Sequence, residues 1–465
     1  MKVGIDLIHF ATADYYLGLD TFAAEKHIDV EKFTIGIGQE KMSIAPPDED
    51  VVSLAAKAAA PILRQIDTNE ISAVLFATET GVDQSKSAGV FLHGLLGLPN
   101  RCRVVEFKHA CYAGAAALQM ATTMIRANSK EKVLVIAADI AKYDVDTSGE
   151  ATQGCGAVAM LITESPRIIA IEAGSGYYTD DVMDFWRPNN RTTALVDGKY
   201  STKVYLNSLK HAWEHFTEQT NRTFNDIDYF CYHIPFTKMA EKAHKTLIKK
   251  TGADVTQDQF EAQTLASQIY NRIVRNSYIA SLFVSFISLL DNNRQSVEGK
   301  RISFFSYGSG CVAEFFTGIM QSGYEKVLMT QEHQRKIAQR KPLSYQEYLD
   351  FYKQADSVIE NIVYPLTNKG PYRLAGIKDH KRYYEKTGIN YNPTLSELAK
   401  YWWNRIKPSG GFKVHAGESS SPMTAKDNYR RLGGNYVDMF GGGKMRGDQK
   451  GYVSNSNRNF LAVVE

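Results

Sequence analysis

Between residues 104 and 118 the chain changes character twice. Val104-Val105-Glu106-Phe107 reads as a strand, Cys111 follows a short break, and Ala113-Gly114-Ala115-Ala116-Ala117-Leu118 opens a helix of very small side chains that can pack tightly beneath the turn. A thiol at a helix N-terminus meets unsatisfied N–H groups and the positive end of the dipole, which lowers its pKa. The same amides can hold an oxyanion when a thiolate attacks a carbonyl. Taken alone, a lone cysteine here reads equally well as a small buried core residue.

The surroundings of Cys111 have an echo. Residues 71–77 form an apolar run that ends at Thr78-Glu79, and residues 227–232 form one that ends at His233. A few dozen residues later each is followed by a helix start with a polar or reactive group, Cys111 in one case and Arg275-Asn276-Ser277-Tyr278 in the other. Each copy closes on strand, glycine, strand: 132–138 then 154–162, and 301–310 then 312–316. Continuous apolar strands alternating with helices predict an α/β fold with buried sheets covered on both faces. Two copies predict an internal pseudo-dyad, with a site where strand ends from both halves meet.

Beyond about residue 325 the composition shifts. Residues 332–390 are charged and tyrosine-rich, and predict peripheral helices. Past Gly388, glycines and serines crowd out aliphatics, which argues against a packed domain; only residues 395–406, with Trp402 and Trp403, fit a short amphipathic helix. The expected division is 1–165 and 166–325 for the two halves, 326–388 for a peripheral helical extension and 389–465 for an irregular tail.

A net charge of +3 over 465 residues gives no reason to expect nucleic acid or an anionic membrane as partner. The longest apolar stretch, residues 280–290, falls short of the roughly 18 residues a membrane span requires and predicts a buried helix. Met1-Lys2-Val3-Gly4-Ile5-Asp6 runs straight into a strand pattern, with no signal-peptide character. Five scattered cysteines (102, 111, 155, 231, 311) suggest neither a disulfide framework nor a zinc site, and a reducing cytoplasm is the expected location.

Glu79 ends an apolar strand, where burial raises a carboxyl pKa towards the range of a useful base; read alone, it fits a solvated strand-end glutamate. His233 ends the second such strand and could polarise a carbonyl oxygen, or be a satisfied core histidine. Gly308-Ser309-Gly310 alone is an ordinary tight turn. Lys238 and Lys242, four apart, share a helix face. His211-Ala212-Trp213-Glu214-His215 matches a zinc-protease pattern without an evident distant third ligand. Cys311, beside the glycine turn, reads as structural.

Four motifs in this order and spacing carry a resemblance: Thr78-Glu79-Thr80, Ala110-Cys111-Tyr112-Ala113-Gly114, His233-Ile234-Pro235-Phe236-Thr237-Lys238 and Tyr307-Gly308-Ser309-Gly310. Asp184-Phe185-Trp186-Arg187-Pro188 and Gly149-Glu150-Ala151-Thr152-Gln153-Gly154 support them. From residue 1 to about 387 the chain resembles the bacterial-type 3-hydroxy-3-methylglutaryl-CoA synthases of the thiolase-like superfamily. The resemblance implies a duplicated fold layered αβαβα and condensation of acetyl-CoA with acetoacetyl-CoA in the mevalonate pathway. Cys111, Glu79 and His233 would be catalytic, with Asn276, Ser309, Tyr143, Lys238 and Lys242 binding substrate. Asp139 and Asp184 would act on the site indirectly. It further implies a homodimer, and no metal or redox cofactor, CoA itself being the handle.

Three alternatives stand beside this reading. A close relative could act on acetoacetyl groups carried by an acyl carrier protein in polyketide β-branching. A chain-initiating β-ketoacyl synthase would pair Cys with His and Asn and lack the Glu79 position. An inactive thiolase-fold protein with the tail as interaction module would be of another class.

Overall fold

The computed structural model describes residues 1–356 and 361–387. The tail expected over 389–465, with its short helix at 395–406, lies outside the described residues. In the first half, β1 (Val3–Ala11), α1 (Val51–Leu63), β2 (Ile71–Ala77), β3 (Arg103–Phe107), α2 (Ala113–Ala127), β4 (Lys132–Ala141) and β5 (Gly154–Glu164) follow in order. In the second come β6 (Ile169–Ile171), β7 (Gly176–Thr179), α3 (Gly198–Thr220), β8 (Tyr229–Tyr232), α4 (Lys238–Thr251), α5 (Ser281–Asn292), β9 (Arg301–Gly308) and β10 (Val312–Met320).

The two halves share a common core of wiring, to which the first adds the edge strand β3 and the second the branch strand β7. β2 pairs in parallel with β3 and β4, then β4, β5 and β1 continue antiparallel. In the second half β8 pairs in parallel with β9, which runs antiparallel to β10, itself antiparallel to β6 and β7. The β1–β6 pairing joins both sets into one hydrogen-bonded sheet of ten strands, with β7 branching from β10. Strands such as Val3–Ala11 are buried along their whole length, as expected of a sheet covered on both faces.

Three apolar clusters fill the spaces between layers. α1 covers the outer face of the first half, and α3 and α4 cover that of the second. Between the halves lie α2 and α5, packed with β-strand residues from both. The order is therefore α, β, α, β, α. Small residues on α2 permit the central contact: a Cβ on Gly114 would stand 2.8 Å from Ile279 Cγ2 and 2.9 Å from Phe283 Cε2. The buried helix predicted at 280–290 is α5, which begins at Ser281 rather than at the Arg275–Tyr278 step.

Residues 330–356 contain two helices, Thr330–Ala338 and Tyr345–Asp356. Farther on the expectation of helix fails, because Ile362–Val363, Tyr372–Lys378 and Lys381–Lys386 form a three-stranded antiparallel sheet. The charged composition misleads here: Arg373, for one, is fully buried and donates to Glu385 at 2.6 Å. A charge that looks solvated in the sequence is thus part of an interior ion pair.

Candidate active site

Parallel strands deliver their carboxyl ends to one place. Ala77 is in register with Phe107 on β3 and with Ala137 on β4, so the residues just past them converge: Glu79, Cys111 and Asp139. The turn after β3 is tight enough to hold Ala110 at φ +36°, a conformation that costs a non-glycine residue energy. Cys111 is buried, and its Sγ lies 3.9 Å from Glu79 Oε2.

Asp139 fixes the strand end that carries Glu79. It accepts hydrogen bonds from both hydroxyls of Thr78 and Thr80, from the backbone N–H of Glu79 and Thr80, and from the N–H of Ile279 at the head of the central helix α5. Burial raises the Asp139 carboxyl to about 6 against those donors. Burial, then the neighbouring Asp139 charge, pushes Glu79 up to about 8, while Arg187 pulls the other way. Arg187 also donates to the Glu79 backbone carbonyl.

The expectation of a depressed thiol pKa is corrected here. α2 begins at Ala113, two residues past Cys111. Burial and the carboxylates of Glu79, Asp139 and Asp184 raise the thiol well above its ordinary value, and hydrogen bonding to its own backbone only partly opposes them. The resting group is a thiol with the Glu79 carboxyl beside it.

His233 follows β8 and is anchored by its N–H to Phe305 O at 2.8 Å. Its Nδ1 lies 2.7 Å from Ser281 Oγ, which also accepts from the N–H of Ile234. An imidazole that accepts the Ser281 hydroxyl proton at Nδ1 carries its own hydrogen on Nε2. Burial lowers the His233 pKa to about 3, so the ring is neutral. Asn276 Oδ1 accepts the N–H of Tyr278, which leaves the Nδ2 donors for a guest. Asp184, fully buried, accepts from Tyr307 Oη, Ser201 Oγ and the N–H of Gly310, and so shapes the turn that bears Ser309. Gly308 lets this turn approach the Cys111 loop, since a Cβ there would meet Tyr112 Cβ at 2.7 Å.

One cavity of about 180 Å³ unites the two halves, with Cys111, Tyr143, His233, Asn276 and Ser309 all in its wall. Glu79 stands against Cys111 but is not itself on the wall. Lys238 and Lys242 are not on it either; Lys242 reaches over the ring of Phe236, which is. Sequence reasoning missed the aromatic lining of Tyr205, Phe236 and Tyr278, and gave Ser281 no role. Phe185 and Arg187 were within a quoted motif, which was the available signal; Tyr205, in mid-helix, offered none.

The other candidates have neighbours of their own. His211 stacks on Tyr178 and pairs with Glu214 at 3.3 Å, while His215 meets Tyr177 edge-on. Cys311 exchanges backbone hydrogen bonds with Asp180, and its Sγ lies 3.7 Å from Ser208 Oγ.

Comparison with known proteins bears on the whole described chain. The family models for the N-terminal and C-terminal parts of hydroxymethylglutaryl-coenzyme A synthase match residues 2–166, and 169–249 with 244–384. Hydroxymethylglutaryl-CoA synthase of Enterococcus faecalis is 39% identical over 384 residues, which span 83% of this chain and all of that one. A polyketide-biosynthesis 3-hydroxy-3-methylglutaryl-ACP synthase of Bacillus subtilis is 31% identical over 77% of this chain and 90% of its own length. A crystal structure of an HMG-CoA synthase complexed with CoA superposes with a TM-score of 0.80 at 39% identity, covering 83% of this chain and 100% of that one.

Proposed function

This chain belongs to the hydroxymethylglutaryl-CoA synthase family, and we propose that it condenses acetyl-CoA with acetoacetyl-CoA through an acetyl-Cys111 intermediate, the HMG-CoA-forming step of the mevalonate pathway. The observation that carries this reading is Cys111 on the same cavity wall as a neutral His233, with Glu79 3.9 Å from its sulfur.

In the first step the Cys111 thiol gives its proton to Glu79 as sulfur attacks the acetyl carbonyl; the proton then leaves with the CoA thiol. The backbone N–H groups of Cys111 and Ser309 are suited to the developing oxyanion. A carboxylate beside the thiol is the activating base that a buried, high-pKa nucleophile requires.

In the second step ionised Glu79 removes a proton from the acetyl methyl. The resulting carbanion attacks the ketone carbon of acetoacetyl-CoA, whose oxygen becomes an alkoxide and then a hydroxyl as the proton taken by Glu79 is returned to it. The Nε2–H of His233 and the Nδ2 donors of Asn276 are the groups fitted to that oxygen, and Tyr143 bounds the acyl pocket. Water then cleaves the sulfur–acyl bond and frees 3-hydroxy-3-methylglutaryl-CoA. No step calls on a metal or redox group; CoA is the handle. Lys238 and Lys242 are the cations suited to its phosphates at the mouth.

In this reading residues 1–165 supply nucleophile and base, and residues 166–325 supply the groups that receive the second substrate. The edge strand β3, with Val105 half exposed beside the nucleophile turn, suits pairing with a second copy in a homodimer. Five free cysteines accord with a reducing cytoplasm.

Intact-mass analysis after mixing with acetyl-CoA tests the reading. An acetyl adduct that Cys111→Ala lacks, discharged by acetoacetyl-CoA with release of the six-carbon dicarboxylic thioester, is the expected result. Discharge only by carrier-bound acetoacetate would transfer the chain to the polyketide branch. No adduct would refute Cys111 as nucleophile.

A further inference from the structure

A second cavity, of about 280 Å³, shares no wall residue with the first. Cations reach it from four segments: Lys57 on α1, Arg335 and Lys336 on the helix Thr330–Ala338, Lys341 just beyond it, and Lys369 in the loop before Tyr372. Among the described residues of the wall, Asp14 is the one carboxylate. Lys57 is nearly fully buried and already held by Glu49 at 2.6 Å and Asp14 at 3.1 Å; Lys336 lies 3.3 Å from Glu332. Arg335, Lys341 and Lys369 have no carboxylate within ion-pair distance among the described residues.

The wall is built rather than incidental. A Cβ on Gly370 would stand 2.4 Å from Lys57 Cε and 2.8 Å from its Cδ, so glycine here leaves room for the lysine stem as it lies. His333, also on the wall and 2% exposed, spends Nδ1 on Asp291 at 2.7 Å and leaves a buried Nε2 without a partner. Burial holds the Lys336 ammonium below its ordinary pKa, Glu332 opposes this, and the nearby Lys57 and Arg335 charges add to it. Like charges gathered around an open space repel one another, and an anion between them relieves that repulsion.

We propose that this cavity is a binding site for a compact oxyanion of two or more negative charges, a diphosphate or a polycarboxylate, separate from the active site. The chain's own continuation is the competing occupant, because Thr387 donates its N–H to Pro371 O at 2.9 Å, beside the cavity. Its charge is of the wrong sign: residues 388–465 hold 11 Lys and Arg against 6 Asp and Glu. An external anion is what the wall fits.

Calorimetric titration of the full chain with pyrophosphate, and separately with citrate, at fixed ionic strength and with CoA saturating, tests the proposal. One saturable site per chain, with a Kd below about 1 mM, is expected for at least one probe. Arg335→Ala with Lys369→Ala, both exposed side chains, should weaken it about tenfold or more. Lys341→Gln should weaken it less, and Lys130→Ala, on a remote turn, not at all. Pyrophosphate and citrate arms separate phosphate from carboxylate recognition. Binding of neither probe overturns the proposal, as does binding that CoA displaces or that both the double variant and Lys341→Gln retain.

Discussion

Glu79 and His233 occupy the same place in the two halves, one or two residues beyond the end of a parallel strand, yet the fold makes opposite groups of them. Glu79 has a second acid within its own hydrogen-bonded loop, and burial together with Asp139 raises its carboxyl to about 8. His233 has no charged contributor to its shift; burial alone takes the imidazole to about 3. Duplication supplied two strand ends facing one cavity, and neighbours from elsewhere in the chain set their charge. One station trades a proton near neutral pH while the other stays neutral and donates a hydrogen bond.

The largest effect expected is at Glu79. Glu79→Gln should lower condensation by about 10²- to 10⁴-fold, the range for removing a positioned base. Single-turnover kinetics on pre-acetylated enzyme would isolate that step. The same substitution should raise the melting temperature, more so at pH 8.5 than at pH 5. A carboxyl whose pKa rises from 4.5 to about 8 on folding favours the folded state least when it must be ionised there, so its cost grows between those pH values and is full above them. A stability gain that is flat with pH would mean that burial does not tax the charge.

At His233 the comparison is sharpened through its partner. Ser281→Ala removes the hydroxyl beside Nδ1, the group placed to hold the Nε2–H tautomer, without touching the cavity wall. Loss of one such hydrogen bond should cost about tenfold in condensation and leave acetyl-Cys111 formation unchanged. A drop in acetylation instead would place His233 in the first step and dissolve the division of labour between the halves.

The strand ends were legible because apolar runs that stop at Glu79 and His233 are visible in a single sequence, and so was the cysteine before its small-residue helix. What gives those residues their character was not. The thiol was read from a local helix terminus, whereas burial, and after it the carboxylates of Glu79, Asp139 and Asp184, reverse the direction of its shift. Ser281 looked like one more serine in the apolar run of a buried helix, and its role depends on a contact across 48 residues. The charged stretch 332–390 looked like solvated helix because counter-charges such as Glu385 and Asp48, which meet Arg373, are brought to it by folding. Periodicity carries the elements; long-range electrostatics does not show in it.

Asp139→Asn probes the first station more gently. Deleting the negative charge that helps hold Glu79 up should move the rising limb of the condensation pH profile to lower pH by about one unit, with the apparent value belonging to the coupled pair in the parent enzyme. A limb that stays in place would reduce Asp139 to a brace for the Thr78–Thr80 loop.

The smallest effect expected lies outside both stations. Lys242 is exposed and Lys238 only half-buried, and neither is on the cavity wall. Charges so placed attract a phosphate-bearing substrate through solvent, where salt screens them. Lys238→Ala with Lys242→Ala should therefore raise KM for acetyl-CoA by about three- to tenfold at low salt, with kcat and the pH limb unmoved and the difference shrinking as ionic strength rises. A fall in kcat that resists salt would show that their charge reaches His233, and the second station would then owe its neutrality to more than burial.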